Sequence, residues 1–480
     1  MIIVISLAFV LGLCLYLKYY YFALFLENLP CMRQQFLFGN ILQFQNDSLV
    51  TVFAKCRKHF GETFALYYGP SRFVHISKLE HVAEIFSRIK IYERDIMTRS
   101  NTNALLPRCL RTLIGTEWQT RKRIVSASFR SSHMLVHAPN IVATADLLID
   151  NLRSENSTPN GTVHMSAAFD RIIIEGLLQI FIGYSASYET TVMEFSNAFL
   201  QLEQANSCMF SAFLLPIWFK KAYIKMNKEY CRAEAILYTH MECFIGNSNR
   251  DEKTLLNSLI EAHEQNLVTK PEIFSEVFDI LSTAYSFVRS NIRWFLHYLS
   301  DNEHVQTKIK QELADLSISY HTIWTMKLIN KLIYTECVCK EILRHSPGIA
   351  PYIARTAITD GIIEDEPSQI RICKGDTIVI GAYNIHHDSQ HWKLDPYRFL
   401  PERFLNEDRD HERNAFIPFG GGDRACIARQ ISMVILKIIL VRFMLSISIH
   451  RHEDRDSAVM ASNLALGQKE AVDLGGIYIR

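Results

Sequence analysis

The chain has 480 residues, 49% of them hydrophobic and 21% charged, with a formal net charge of +1. That length allows one large domain or about three ordinary ones, and the composition fills a large core and excludes an intrinsically disordered chain. The near-neutral balance gives no sign of a nucleic-acid partner.

Met1 to Leu17 carries no charged side chain, and apolar character resumes after Lys18 through Leu26. A bilayer span takes roughly 20 residues, which this stretch supplies. It lacks the basic start and small-residue cleavage site of a cleaved signal. Residues 1–26 are therefore predicted as a retained N-terminal transmembrane anchor and residues 27–480 as the folded body. Lys18 and Arg33 lie late in the span or after it, which puts the body on the cytoplasmic side. The sequons at Asn46, Asn156 and Asn160 are then expected to stay unmodified. Eleven cysteines without paired spacing indicate a reducing compartment.

Leu29-Pro30 and the Phe38-Gly39-Asn40 turn lead into the body. Ser48 to His59 and Lys78 to Ser87 have helical spacing. Between them, Thr63 to Gly69 and Arg72 to Ser77 form strands around Gly69-Pro70. From about Ser132 to His345 the pattern is nearly all helical, broken by the Ser-, Asn-, Pro- and Gly-rich stretch 154–162. Met209 to Phe219 is strongly apolar, with Phe210, Phe213, Trp218 and Phe219. It fits core first, with a channel lid or a membrane-dipping surface as alternatives. A long helix runs from Ser275 to about Leu299. Arg371 to Tyr383 suggests a second strand pair around Lys374-Gly375. These elements predict one mainly α domain with a minor β region.

Three segments carry chemistry. Glu341 and Arg344 are three apart on the helix that ends before Ser346-Pro347, so they share a face and can pair; an exposed pair of this kind contributes little. Pro401-Glu402-Arg403-Phe404 follows. Near the C-terminus stands Phe419-Gly420-Gly421-Gly422-Asp423-Arg424-Ala425-Cys426, followed by an apolar run to about Met444. Glycines let this backbone approach a bound group closely. A helix beginning beyond Cys426 would aim its positive end at the sulfur and favour thiolate, a soft metal ligand. Taken alone, these residues leave two readings open, a metal ligand and a buried structural cysteine.

This last segment resembles the haem-binding loop of the cytochrome P450 family, Phe-x-x-Gly-x-Arg-x-Cys-x-Gly. Phe419, Gly422, Arg424 and Cys426 fall in register, and Ala428 stands for the final glycine. The resemblance runs through residues 29 to 480, over Glu341-x-x-Arg344, Ile372 to Gly375, His386-His387-Asp388, Trp392, Asp395-Pro396 and the Pro-Glu-Arg-Phe segment. Its spacing is most similar to the microsomal family-four branch, the fatty-acid ω-hydroxylase-like group. It implies the P450 fold and non-covalent haem b, with Cys426 as the metal ligand whose electron density favours O–O cleavage. It implies that Glu341, Arg344 and Arg403 form a structural cluster behind the haem. Phe419, Gly422, Arg424, Arg355 and Trp118 with Lys122 would bind the cofactor, the cations answering its propionates. Lys122 replaces the family's Arg, and Arg121 or Arg123 are candidate substitutes.

In the long helix, the family's small residue, acid and threonine fall on Ala284, Ser286 and Phe287. Phenylalanine cannot pass a proton. Thr283, on the same face four residues before Phe287, would hold a water or bond its own backbone. It also stands where the branch often has a Glu esterified to haem, so no covalent attachment is expected. Thr283, Ala284 and Ser286 are the catalytic candidates on this helix. The resemblance implies a monooxygenase of the endoplasmic reticulum membrane, with its catalytic domain on the cytoplasmic face. Electrons would come from NADPH through a separate NADPH–cytochrome reductase, with cytochrome b5 as a second donor. One oxygen atom from O2 would enter a small apolar substrate: a fatty acid, a steroid or hormone, or a foreign compound such as an insecticide. Ser286 and Phe287 motivate two rivals, a reductase-independent isomerase or dehydratase of peroxides and a haem- or lipid-binding protein with little turnover.

Overall fold

The computed structural model describes residues 10–15, 17, 28–35, 38–44, 49–69, 71–130, 135–155, 165–183, 189–211, 217–346, 352–365, 368–451 and 477–479. Two of the predicted helices open it, α1 (Leu49–Phe60) and α2 (Leu79–Ser87). Between them β1 (Thr63–Tyr68) and β2 (Ser71–Ile76) pair antiparallel. Then come β3 (Tyr92–Arg94), α3 (Ile96–Leu105), α4 (Gly115–Ser128), α5 (Ala138–Glu155), α6 (Ala167–Ile182), α7 (Glu189–Ser211), α8 (Ile217–Met226), α9 (Lys228–Gly246) and α10 (Leu255–Glu264). The long helix α11 is Lys270–Ser300. It begins where Thr269 and Glu272 form a reciprocal cap, with the Thr269 N–H donating to Glu272 at 2.8 Å. After α12 (Glu303–Asp315), α13 (Met326–Lys331) and α14 (Ile333–His345) come four strands, β4 (Ile353–Ala357), β5 (Gly361–Asp365), β6 (Ser368–Ile372) and β7 (Thr377–Ile380). Helices α15 (Ala382–His386) and α16 (Arg429–Ser446) and strands β8 (Ile449–Arg451) and β9 (Ile477–Ile479) complete it.

The result is mostly helical with a small sheet region, as expected. Helices α5, α6, α11, α14 and α16 bury their apolar faces in one large core. A second core lies under the sheet, around Val74, Ile76, Ile378, Ile380 and Trp392. The main sheet has strand order β1-β2-β7-β4-β3. The segment that carries Cys426 lies between the two cores. Phe419, Ile427 and Ala428 pack on the helical core, while Phe416 touches both.

Two expectations need correction. The strand pair around Lys374-Gly375 does not form: β6 pairs with β5, while β7 pairs with β2 in parallel and β4 antiparallel. Gly375, at φ 94°, turns the chain out of one sheet and into another. Asp376 fixes that turn by accepting from the Cys373 N–H and from Arg72. All four residues of β7 are buried, which suits a central strand. The anchor expected over 1–26 is not supported: among the described residues no helix is long and apolar enough to cross a membrane. Residues 10–15 of that segment are helical, and most of the rest lies outside the described residues. The three sequon asparagines and the middle of the apolar run 209–219 also lie outside them.

Candidate active site

Cys426 is a free, exposed cysteine at the base of the glycine loop. Its backbone N–H donates to the Phe419 carbonyl at 2.8 Å, closing the loop on itself. The close approach that glycine permits is made to the end of α2. A Cβ on Gly421 would lie 2.3 Å from the Phe86 ring, and one on Gly422, at φ 66°, would lie 2.3 Å from the Phe86 carbonyl oxygen. Ala428 has φ −91° and ψ 8°, which any L-residue adopts, so the missing final glycine imposes no strain. The Cys426 side chain is exposed, yet desolvation by the surrounding protein raises the pKa of its thiol. The Ala428 N–H and the charge of Arg429, both at the start of α16, oppose this and favour the thiolate.

Behind the loop, Glu341, Arg344 and Arg403 are fully buried and joined. Arg344 donates to both Glu341 oxygens at 2.8 and 2.9 Å, and Arg403 to one at 3.0 Å. Arg403 also pairs with Asp408 at 2.9 Å. The indole of Trp392 packs under both guanidiniums, 5.1 and 5.7 Å away. Burial acts to raise the Glu341 pKa, but hydrogen bonds from Arg344 and His345 win and hold it well below the usual carboxylate range. His386 adjoins this cluster. It is completely buried, and burial, with Arg344 close by, lowers its pKa to about 3.

The predicted cofactor-binding cations converge from three elements. Trp118 and Lys122, one turn apart on α4, face the loop together. Lys122 donates to the Asp423 carbonyl at 2.7 Å, with its ammonium 4.8 Å from the Trp118 ring. Arg424 lies over the Trp118 ring, 3.9 Å from its centre, and donates to Glu93 at 2.6 Å. Arg121, offered as a substitute for Lys122, is not part of this group. It is buried on the adjacent face of α4, where it donates to Glu276 at 2.9 Å. Arg123 is exposed on α4.

Arg94 and Arg99 join the group and were not predicted; the available signal is the charge run Glu93-Arg94-Asp95. Burial, with Arg94 and Arg424 as neighbours, pushes the Arg355 pKa down to about 9. Burial likewise lowers Arg424 to about 10 against the pull of Glu93. Glu93 faces both Arg355 and Arg424, while Asp95 faces Arg355 and Arg94, and Arg94 also faces Asp279 and Arg111. Guanidiniums outnumber carboxylates in this group, which suits the negative charge of haem propionates. The Arg424 Nε is buried without a hydrogen-bond partner. The glycine cradle, the free thiol and this cationic excess all fit haem.

On α11, Thr283 is exposed, and Ala284, Ser286 and Phe287 are half-buried, in a helix otherwise mostly buried. That face looks toward the glycine loop, for the Phe287 and Phe419 rings are 6.1 Å apart. The Thr283 hydroxyl donates to the Asp279 carbonyl at 2.8 Å and accepts from Arg111 at 2.8 Å. Its back-bonding is therefore the structural role, and Arg111 is ion-paired to Asp279. Elsewhere, Glu62, Asp388 and His391 hold donor atoms within 4.8 Å of one another. Arg57 is ion-paired to Asp388 there and already supplies the cation.

The family model described as Cytochrome P450 matches residues 29–471. This chain belongs to the cytochrome P450 family. It is similar to Cytochrome P450 4V2 of Mus musculus, at 23% identity over 84% of this chain and 79% of that protein. It is similar to Cytochrome P450 3A15 of Cavia porcellus, at 22% identity over 90% and 88%. It also matches Steroid 17-alpha-hydroxylase/17,20 lyase of Felis catus, at 28% identity over 47% and 46%. P450 membership makes the chain an oxidoreductase of the monooxygenase type with a haem-iron cofactor.

Proposed function

We propose that the protein inserts one oxygen atom from O2 into a small apolar substrate, and that Cys426 would ligate the iron of non-covalent haem b. The observation that carries this reading is the convergence on one glycine loop of a free cysteine and an uncompensated group of arginines. Bound haem supplies the oxygen chemistry. The Ala428 N–H and Arg429 stabilise negative charge on the Cys426 sulfur. Arg355, Arg424 and Arg94 would hold the haem propionates, and Lys122 holds the loop at the Asp423 carbonyl. The Glu341, Arg344 and Arg403 cluster braces the loop from behind.

On the oxygen side, Thr283 has its hydrogen committed to the Asp279 carbonyl, and Phe287 has none to give. Proton delivery then falls to water beside Ser286. The name of one relative, a steroid hydroxylase, supports a steroid as substrate, and fatty acids and foreign compounds are the other candidates of this reading. NADPH through a separate reductase, with cytochrome b5 as a second donor, is the electron source of this reading. The body of 27–480 lies in this reading at the cytoplasmic face of the endoplasmic reticulum membrane.

The departures at Ser286 and Phe287 favour one second reading, rearrangement or dehydration of a peroxide without reductase. Turnover with NADPH and reductase, compared with turnover on a hydroperoxide alone, separates the two. NADPH-dependent product is expected; product from hydroperoxide alone overturns the monooxygenase reading. The reduced carbon monoxide complex should show a thiolate-type Soret band that Cys426→Ser loses. The double substitution Ser286→Asp with Phe287→Thr should raise NADPH-coupled turnover, and no gain would count against this account of α11.

A further inference from the structure

His386 makes three hydrogen bonds that tie two parts of the site together. Its backbone carbonyl accepts from Arg344 at 2.5 Å. Its Nδ1 lies 3.1 Å from the Arg344 carbonyl oxygen, and its Nε2 accepts from the Ile417 N–H at 2.9 Å. The tautomer follows from these partners. A backbone N–H can only donate, so Nε2 must carry the lone pair. Nδ1 therefore carries the hydrogen and donates it to the Arg344 carbonyl. Beyond Ile417 the path continues: its carbonyl accepts from the Gly420 N–H at 3.0 Å, and Phe419 accepts from the Cys426 N–H at 2.8 Å. The imidazole is completely buried and stacks beside Phe416, 5.5 Å between ring centres. Water cannot replace it there, so an unmatched Ile417 N–H would stay unpaired.

We infer that His386, as its Nδ1–H tautomer, is a positioning residue that transmits the placement of the Glu341, Arg344 and Arg403 cluster to the loop bearing Cys426. It touches neither the sulfur nor any cofactor; it acts through Ile417. The acceptor at Nε2 is the functional half, because it alone reaches the loop. The Nδ1 hydrogen only orients the ring against α14. This is the logic of outer-shell partners that orient a metal ligand. The inference rests on the reading of Cys426 as the iron ligand.

The two halves can be removed separately in the full-length holoenzyme. His386→Gln puts an amide oxygen near the Nε2 position and keeps an acceptor for Ile417. His386→Asn puts an amide N–H near the Nδ1 position and keeps only the link to Arg344. His386→Phe keeps neither. The measurement is the thiolate-type Soret band of the reduced carbon monoxide complex per haem bound, with the thermal midpoint taken alongside. The Gln variant should keep most of the band, while Asn and Phe should lose it by about tenfold, the scale of outer-shell changes at metal sites. Equal behaviour of Gln and Asn, or band losses that merely follow the thermal midpoints, overturns the inference. Absence of the band from the wild-type protein would instead overturn the assignment of Cys426. If the variants fail to fold, amide exchange of the wild-type holoenzyme decides. Ile417 should exchange as slowly as the interior of α14, and fast exchange there overturns the inference.

Discussion

At Ala428 and Gly422 the same motif letter has opposite weight. Ala428 sits at φ −91°, where the absent glycine costs nothing, whereas Gly422 sits at φ 66° with the Phe86 carbonyl where its Cβ would be. Gly422→Ala should therefore destabilise the loop by about 1–3 kcal/mol from backbone strain alone. It should lower haem retention, read as haem per protein after gel filtration, whereas Ala428→Gly should leave it unchanged. Glu341 shows the electrostatic counterpart. Its carboxylate meets two guanidiniums with no exposure to water, and breaking a buried pair by removing one partner costs about 3–5 kcal/mol. Glu341→Gln should lower the denaturation free energy by that amount. Because the folded pKa lies below the ordinary 4.5, this carboxylate stabilises the fold above that pH. Its contribution is lost as pH falls from 4.5 through the folded value. The wild-type protein should thus lose stability on acidification more steeply than the Gln variant. Glu341, Arg344, Arg403 and Cys426 were legible because each stands in a fixed local pattern. Arg121 was not: three adjacent basic residues look alike in a sequence, and only the rotation of α4 sends Lys122 to the loop and Arg121 to the interior.

Helix α11 presents three acids in succession, Glu272, Glu276 and Asp279, to arginines of α4 and of the loop before α4. Arg108 meets Glu272, Arg121 meets Glu276, and Arg111 meets Asp279. Helical spacing made the helix itself legible, and the acids fell within or just before it. Their partners, 155 and 164 residues away along the chain for Glu276 and Glu272, were beyond any local pattern. The strand reading failed for the same reason. Residues 371–383 have strand character on both sides of a turn, yet the partners of β6 and β7 are chosen by burial elsewhere. Glu276 offers the test at this scale. Burial raises its pKa to about 7, although Arg121 pulls the other way. The folded protein therefore holds a proton on Glu276 between pH 4.5 and about 7 that the unfolded chain has released. The sign is that this group favours folding at acid pH, and the benefit is lost as pH rises through about 7. Across that interval the thermal midpoint of Glu276→Gln should fall less steeply with pH than that of the wild type. Parallel curves would show that Arg121 keeps Glu276 ionised throughout.

At the scale of the whole molecule, the lead-in to the body is part of the fold. Strand β1 is the edge of the main sheet, and an exposed edge invites association with other chains. Residues 30–35 and 38–40 lie along it. The N–H groups of Ala65 and Gly69 donate to the Pro30 and Phe38 carbonyls at 3.0 and 3.1 Å. The Tyr67 N–H donates to the Asn40 side chain at 2.8 Å, and the Tyr67 carbonyl accepts from the Asn40 N–H at 2.6 Å. Gly39 is required at the crossing, because a Cβ there would lie 2.2 Å from the Tyr67 oxygen. Leu29-Pro30 and Phe38-Gly39-Asn40 were legible as turns, but turn residues do not announce the strand they will cover. The consequence is a sharp boundary between two truncations. Removal of residues 1–26 leaves every one of these bonds in place, so the thermal midpoint and haem content should match the full chain, and membrane retention should drop if that segment is the anchor. Removal of residues 1–45 strips the edge of four hydrogen bonds. At about 1 kcal/mol net for each bond, the second truncation should lose about 4 kcal/mol of stability and sediment as larger species as its bare β1 edges associate. Equal midpoints for the two truncations would show that the strap adds nothing, and a monomeric second truncation would show that β1 needs no cover.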